Sequence, residues 1–142
     1  MPPVLTPVIT ASDVRVHMMD YEEINQPLFI RYLEDTDLDT CIESAIDDFN
    51  ETPPILYRKY TLYDFPFKRL LLDGAIVRAF KLTVYKELRG EMQYNDGGIQ
   101  ASVYYKSPQF IALRQELEQK YENDKARRKR HLNIENCYGG TN

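Results

Sequence analysis

One apolar stretch, residues 66–89 (PFKRLLLDGAIVRAFKLTVYKELR), constrains the fold of this chain more than any other segment. Its large apolar residues are spread around most of a helix, which is typical of a helix covered on several sides. Charged residues interrupt the run, so no span of about 18 apolar residues is left for a membrane helix. We therefore predict a central helix over 66–89, with Pro66 in its first turn. Gly74 is predicted at a close approach to a neighbouring helix, the alternative being a hinge or binding role.

The rest of the chain is predicted to pack around this helix as a single domain, because 142 residues suit one hydrophobic core. We predict a mainly α fold, a small helical bundle with extended terminal arms. The predicted parts are an N-terminal arm (1–11), a helical core (12–134) and a C-terminal tail (135–142). Three prolines among the first ten residues exclude a regular helix from the arm.

Local signals place two helices before the central one. Ser12 is a suitable N-cap for a short helix over 13–20. Thr36 followed by Asp39 resembles a capping box and precedes apolar residues at helical spacing. We therefore predict an amphipathic helix over 37–51 that ends at two consecutive prolines.

The segments that flank the central helix have different patterns. Residues 55–65 are rich in aromatic and β-favouring residues, which predicts a strand or an extended connector. Residues 90–106 predict a short β-hairpin or a protruding loop around the turn sequence Asn95, Asp96, Gly97 and Gly98. Ser107 and Pro108 then begin a helix that is predicted to reach about residue 131 or beyond.

Charge is distributed unevenly along the chain. Residues 1–54 hold 12 acidic and 2 basic side chains, a net charge of −10, whereas residues 55–142 hold 10 and 16, a net charge of +6. Such asymmetry concerns partners more than fold. Two interpretations follow: nucleic acid binds near the basic part, or copies of the chain meet acidic face to basic face.

The residues that could carry catalysis do not form a recognisable motif. His17 and His131 lie in no metalloprotease, nucleophile-elbow or triad pattern, and Cys41 falls on the apolar side of its helix as a core thiol. The two cysteines have no metal-ligand spacing, and the acidic helix lacks the glycine-containing loop of a calcium site. We expect no enzyme, no metal and no cofactor. No signal-peptide pattern opens the chain, so we expect it to act or be assembled in the cytoplasm.

Four segments together resemble a known family: FNETPP at 49–54, LLLDGAIVRA within the central helix, LRGEMQYNDGGI at 88–99 and HLNIENCYGG at 131–140. The chain resembles virion structural proteins of tailed bacteriophages, the adaptor or neck proteins of the head-to-tail connection. The resemblance implies a helical bundle with a protruding hairpin or loop, assembled in a ring, typically of twelve copies, beneath the portal around the DNA channel. Its partners would be the portal, other neck or tail proteins and, non-specifically, DNA. Localisation in the virion follows from the same resemblance.

Two residue sets follow as contact hypotheses, because head-to-tail interfaces use two different faces of each subunit. The predicted subunit or portal interface comprises charged residues of two helices: Asp39, Glu43, Asp47, Asp48, Arg69, Arg78 and Lys81. The predicted contact with the DNA channel or a partner is the basic cluster, Lys125, Arg127, Arg128, Lys129 and Arg130.

Three other functions stay open from the sequence. Another phage tail or baseplate protein could have similar helix-loop-helix patterns. A small helical nucleic-acid-binding or regulatory protein could use the basic helix 125–130, although a pI near 5.2 argues against it. A small enzyme would need a pocket that holds His17 or His131 beside a carboxylate.

Overall fold

The computed structural model describes residues 3–20, 33–94 and 107–138, and within them the chain is mainly α-helical, with no strand. This agrees with the predicted fold class. The four helices are α1 (Ala11–Met18), α2 (Asp35–Glu51), α3 (Lys68–Tyr94) and α4 (Ser107–Tyr138). None of the helices within the described ranges combines the length and apolar character that crossing a bilayer requires.

Helix α3 contacts each of the other three helices. It runs antiparallel to α2, since Arg78 meets Ser44 and Lys86 meets Asp37. It also runs antiparallel to α4, because Lys81 pairs with Glu118 while Gly74, earlier in α3, lies against Tyr121, later in α4.

The bounds of α3 differ from the predicted 66–89. Its first helical hydrogen bond runs from the N–H of Leu71 to the carbonyl of Phe67 (3.0 Å), so Pro66 precedes the first turn. The helix continues through Gly90 to Tyr94, because one glycine costs only about 1 kcal/mol and good helix formers surround it. The predicted loop or hairpin is therefore wrong for residues 90–94. Its remainder, with the turn Asn95, Asp96, Gly97 and Gly98, lies outside the described residues.

Both short-range capping predictions missed by two residues. In α1 the cap is Thr10, not Ser12: the N–H of Asp13 donates to the Thr10 hydroxyl, and the Asp13 carboxylate accepts from the Thr10 N–H at 2.8 Å. In α2 the helix begins before Thr36, and the Asp37 carboxylate accepts from the N–H of Glu34 at 3.1 Å. An acidic residue that reaches back over the preceding turn thus fixes each helix start.

Residues 52–67 form an extended connector with turns, so the strand alternative for 55–65 is wrong. The side-chain amide of Asn50 replaces a strand neighbour: it donates to the carbonyl of Tyr60 and accepts from the Tyr60 N–H, both at 2.9 Å. The N-terminal arm is held by a bond from the N–H of Val8 to the carbonyl of Leu62 (2.9 Å). Beyond this anchor Val4 and Leu5 are exposed.

The hydrophobic core lies between α2, α3 and the connector. Phe49 of α2 is its aromatic centre, in edge-to-face contact with Tyr60, Phe65 and Phe67. Cys41 is buried here, and burial, followed by the charge of Asp37, raises the pKa of its thiol to about 11. The prediction that Cys41 is a core thiol is confirmed.

Helix α4 begins as predicted within one residue but extends further than the expected tail allows. No proline or glycine interrupts it before Gly139, and Leu132 is buried against the bundle. His131 and Glu135 pair across one turn at 3.1 Å. Residues 135–138, predicted as part of a C-terminal tail, are therefore helical.

Candidate functional site

The acidic outer face of α2, defined here as Asp39, Glu43 and Asp47, is exposed as the sequence predicted. None of these three carboxylates has an ion-pair partner within the described ranges. They lie at steps of four residues, so they follow one line along the helix surface. This line is available for contact with another molecule.

Asp48 was predicted to belong to the same face, but the structure turns it inward. Its Oδ2 lies 2.7 Å from Lys125 Nζ, 3.1 Å from the Tyr121 hydroxyl and 3.3 Å from Arg78 Nη2. One carboxylate therefore joins α2 to both α3 and α4. Asp48 is a connection within the chain, and its place in a subunit or portal interface stays a prediction.

The electrostatics of this cluster follow from its burial. Burial alone would raise the pKa of Asp48, but the hydrogen bond and charge of Lys125, with the charge of Arg78, bring that pKa below its ordinary value. Burial, and then the negative charge of Asp48, raises the pKa of the Tyr121 phenol. Asp48 is thus ionised and Tyr121 protonated at neutral pH, as their hydrogen bond requires.

The cations of α3 that were predicted at an interface are occupied within the chain to different degrees. Arg78 donates to the Ser44 hydroxyl (3.0 Å) and to the Gly74 carbonyl (3.2 Å), and it lies over the Tyr121 ring. Lys81 pairs with Glu118 at 2.6 Å. Only Arg69 is largely exposed, with a long contact of 3.5 Å to Asp73. Arg69 is therefore the member of this set that is best placed to meet a partner.

The basic cluster of α4 is divided between two faces. Lys125 and Lys129 point inward and are buried, whereas Arg127, Arg128 and Arg130 are exposed. Lys129 Nζ donates to the carbonyl of Thr52 at 2.8 Å and lies 3.4 Å from the carbonyls of Asn50 and Pro54, over the ring of Phe49.

Lys129 therefore caps the C-terminal end of α2, where a cation complements the helix dipole. Burial, with the nearby charge of Lys125, lowers its pKa. Both lysine side chains are enclosed by their own chain, so the predicted contact of the basic cluster with DNA or a partner now depends on Arg127, Arg128 and Arg130.

The exposed arginines contribute to a cavity of about 250 Å³ between the start of α3 and the second half of α4, called here the α3–α4 cleft. Its floor is apolar, formed by Phe67 and Leu70. Its charged lining comes from both helices: Lys68, Arg69, Asp73, Asp124, Arg127 and Arg128.

Two contacts organise the α4 wall of the cleft. Arg127 Nη2 lies 3.2 Å from Asp124 Oδ1, one turn earlier. The guanidinium of Arg128 lies 4.8 Å from the centre of the Phe67 ring, which is a cation–π contact. Neither Arg128 nor Lys68 forms a salt bridge within the described ranges, although the charge of Lys68 is close enough to Asp13 of α1 to help lower the pKa of that carboxyl. The cleft therefore presents cations from two helices over an apolar floor.

Sequence reasoning missed a buried ion pair beside α1. Arg15 donates to Asp20 Oδ2 (2.9 Å) and to Asp35 Oδ1 (2.7 Å), and Asp20 also accepts from the N–H of Leu33 at 3.0 Å. The pair links the end of α1 to the start of α2. The only signal in the sequence was an arginine within a very acidic region, since residues 1–54 hold two basic side chains.

No histidine or cysteine in the described ranges lines the α3–α4 cleft. His17 Nδ1 is 2.9 Å from the carbonyl of Asp13 on its own helix, and His131 pairs with Glu135 on the surface of α4. Cys137 is an exposed free thiol. Within the part of the chain that the structure describes, no three His, Cys, Asp or Glu residues are grouped so that they could hold a metal ion.

Comparison with known proteins gives no relative: no family model, no curated protein and no solved structure matches this chain. A role for the protein must therefore be inferred from its own residues and geometry.

Proposed function

We propose that this chain is a structural subunit of the head-to-tail connection of a tailed bacteriophage, assembled as a homo-oligomeric ring that bridges portal and tail around the DNA channel. The proposal begins from the resemblance of four sequence segments to adaptor or neck proteins. It also includes a position in the virion and assembly in the host cytoplasm.

The observation that best supports the proposal is the division of surface charge that remains after internal pairing. Asp48 pairs with Lys125 and Arg78, and Asp37 pairs with Lys86, within the chain. The acidic outer face of α2 nevertheless stays exposed, while Arg69, Arg127 and Arg128 are exposed at the α3–α4 cleft. One subunit thus has two separate surfaces of opposite charge, which suits a heterologous contact between copies or with a portal.

The N-terminal arm gives a second means of contact. It is anchored at Ile9, which is buried, and its earlier residues Val4 and Leu5 are exposed apolar side chains. An extended apolar segment that leaves its own core can lie across a neighbour and bury that surface there. An arm that lies across a neighbour would leave its own subunit at the hydrogen bond between Val8 and Leu62.

A nucleic-acid-binding regulator is less well supported than a virion subunit. That alternative needed five cations on the helix 125–130, and two of them, Lys125 and Lys129, are enclosed. The remaining cations are consistent with contact to DNA that the ring surrounds. Another tail or baseplate position would use the same surfaces with different neighbours.

Light scattering after size exclusion tests the proposal. We expect oligomers at about 50 mM salt that dissociate near 0.5 M, because exposed charges are screened within about one Debye length. Glu43→Lys reverses a charge in the acidic outer face and should weaken association, whereas Glu116→Lys, an equal reversal at an exposed position of α4, should not. A monomer at every salt concentration, with and without a portal protein, would contradict the proposed ring.

A further inference from the structure

The α3–α4 cleft contains more positive charge than its own carboxylates neutralise. Four cations line it, Lys68, Arg69, Arg127 and Arg128, against the two carboxylates of Asp73 and Asp124. Each carboxylate is already engaged by an arginine of its own helix. Arg128 therefore contributes an uncompensated charge to the cavity, and Lys68 contributes a second charge that Asp13 of α1 offsets only in part.

Unlike Lys68 and Arg128, other cations at helix contacts in the structure form salt bridges. Lys81, Lys86, Lys125 and Arg78 each reach a carboxylate on another helix. Arg128 is instead positioned by the Phe67 ring beneath it, which leaves its N–H groups without a described acceptor. A guanidinium held against a ring keeps N–H groups at its edge that can donate to an oxyanion.

The position of the cations along α3 adds to the unbalanced potential. Lys68 and Arg69 are the first two residues of the helix, and the first turn has no acidic residue. Cations at a helix N-terminus oppose the helix dipole, which favours anions there. The side chains supply most of the positive potential, and the helix start adds to it. An anion in the cleft would be attracted both by the side-chain cations and by the start of α3.

We propose that the α3–α4 cleft binds a phosphate group. A phosphate monoester carries up to two negative charges and a phosphodiester carries one, so either group can offset the positive charge of Lys68 and Arg128. Its tetrahedral oxygens can accept hydrogen bonds from cations on opposite walls, and arginine forks suit phosphate geometry. The group could belong to the DNA backbone or to a free phosphorylated compound. The DNA source rests on the proposed position around a DNA channel, whereas binding of the phosphate group does not.

Titration with inorganic pyrophosphate, followed by calorimetry at about 20 mM salt, tests the site. The test variant is the double substitution Lys68→Gln and Arg128→Gln, which removes these two charges and keeps both internal arginine–carboxylate pairs. The matched control is Lys120→Gln with Arg130→Gln, two exposed cations of α4 outside the cleft. We expect the cleft variant to weaken binding about tenfold or more and the control about twofold or less. Far-UV circular dichroism verifies that each variant is folded.

Two outcomes overturn the proposal: wild-type protein that does not bind pyrophosphate at low salt, or equal weakening by the cleft and control variants. A mixed-sequence DNA duplex then identifies the source of the phosphate. Duplex binding that pyrophosphate competes for, and that the cleft variant loses, assigns the site to the DNA backbone. Pyrophosphate binding without duplex binding assigns it to a free phosphorylated compound. Light scattering on the same samples reports ring assembly separately, so a monomer that binds pyrophosphate would contradict the proposed function alone.

Discussion

At the scale of single residues, Asp48 is the side chain that contributes most to holding the helices together. Its carboxylate meets Lys125, Tyr121 and Arg78, and so joins three helices through one group. Lys125 is only 4% exposed, so its ammonium depends on Asp48 and Glu122 for compensation. Charge buried in this way is tolerated only when it is paired.

Asp48→Asn should therefore destabilise the fold. Removal of one partner of a buried pair costs about 3–5 kcal/mol, and we expect about 2 kcal/mol here because a third of the Asp48 side chain is exposed. The free energy of unfolding, measured in urea, checks this value. Asp47→Asn, the adjacent substitution on the exposed face, should change it by no more than about 0.5 kcal/mol. Equal effects of the two substitutions would contradict the inward role of Asp48.

The Asp48 carboxylate should also account for part of the fall in the free energy of unfolding at acid pH. The pKa of Asp48 is lower in the fold than its ordinary value of 3.8, so its contribution is complete well above that value. It is lost as the pH falls through the folded-state pKa, because the unfolded chain binds the proton first. Urea unfolding from pH 6 to pH 3 should show a steeper loss of stability for the wild type than for Asp48→Asn. Parallel curves of unfolding free energy against pH for the two proteins would contradict this contribution of Asp48.

At the scale of elements, start signals and the placement of apolar residues in the sequence predicted the existence and order of the four helices, but the exact helix ends depended on side-chain chemistry. Thr10 and Ser12 are both acceptable caps, and only Thr10 has Asp13 three residues later, at the spacing of a reciprocal box.

The sequence also contains a signal that divides the basic cluster between a buried and an exposed face of α4, but this signal was hard to interpret. Leu117, Tyr121, Lys125 and Lys129 recur every four residues on one stripe of α4, which the structure buries against α2 and α3. The charge of Lys125 and Lys129 predicts that they lie on the surface, whereas their spacing predicts that they lie in the interior. The interior is possible only because Asp48 and the carbonyls at the end of α2 receive the two ammonium groups. Those partners are about 75 residues away in sequence, beyond local pattern reasoning.

Gly74 determines how closely α3 and α4 approach, as the close-approach interpretation predicted. A Cβ at this position would lie 2.8 Å from Tyr121 Cε2, and the ring cannot withdraw easily because it is buried and its hydroxyl is bonded to Asp48. Gly74→Ala should therefore cost about 1–2 kcal/mol, since overpacking outweighs the gain in helix propensity of about 1 kcal/mol.

A second background separates the two contributions. In Tyr121→Leu, where the ring is gone, Gly74→Ala should become neutral or stabilising by up to about 1 kcal/mol. Urea unfolding of the four proteins in this cycle measures the coupling between the two positions. Additive effects would mean that the Tyr121 ring does not limit the approach of the helices.

At the scale of the whole molecule, the charge asymmetry of the sequence is partly resolved by folding the acidic part onto the basic part. Asp37 reaches Lys86, and Asp48 reaches Arg78 and Lys125, so three ion pairs join residues 1–54 to residues 55–142. The sequence pattern had favoured contacts between molecules, because pairing partners in the same chain cannot be recognised without the fold. Among the charged groups of the described residues, the acidic outer face of α2 and the α3–α4 cleft stay available to external partners.

Among the described side chains of α4, the buried ones lie from Tyr121 onward, which predicts an uneven stability along the helix. Tyr121, Lys125, Lys129 and Leu132 are buried, whereas residues 111–116 are exposed apart from a half-buried Arg114. Segments with few buried contacts open at lower free energy than the core. Hydrogen exchange, normalised to intrinsic rates, should therefore be about tenfold or more faster for the amides of residues 112–116 than for those of 121–132. Uniform protection along α4 would mean that the helix opens as one cooperative unit, with the cleft and the exposed turns equally rigid.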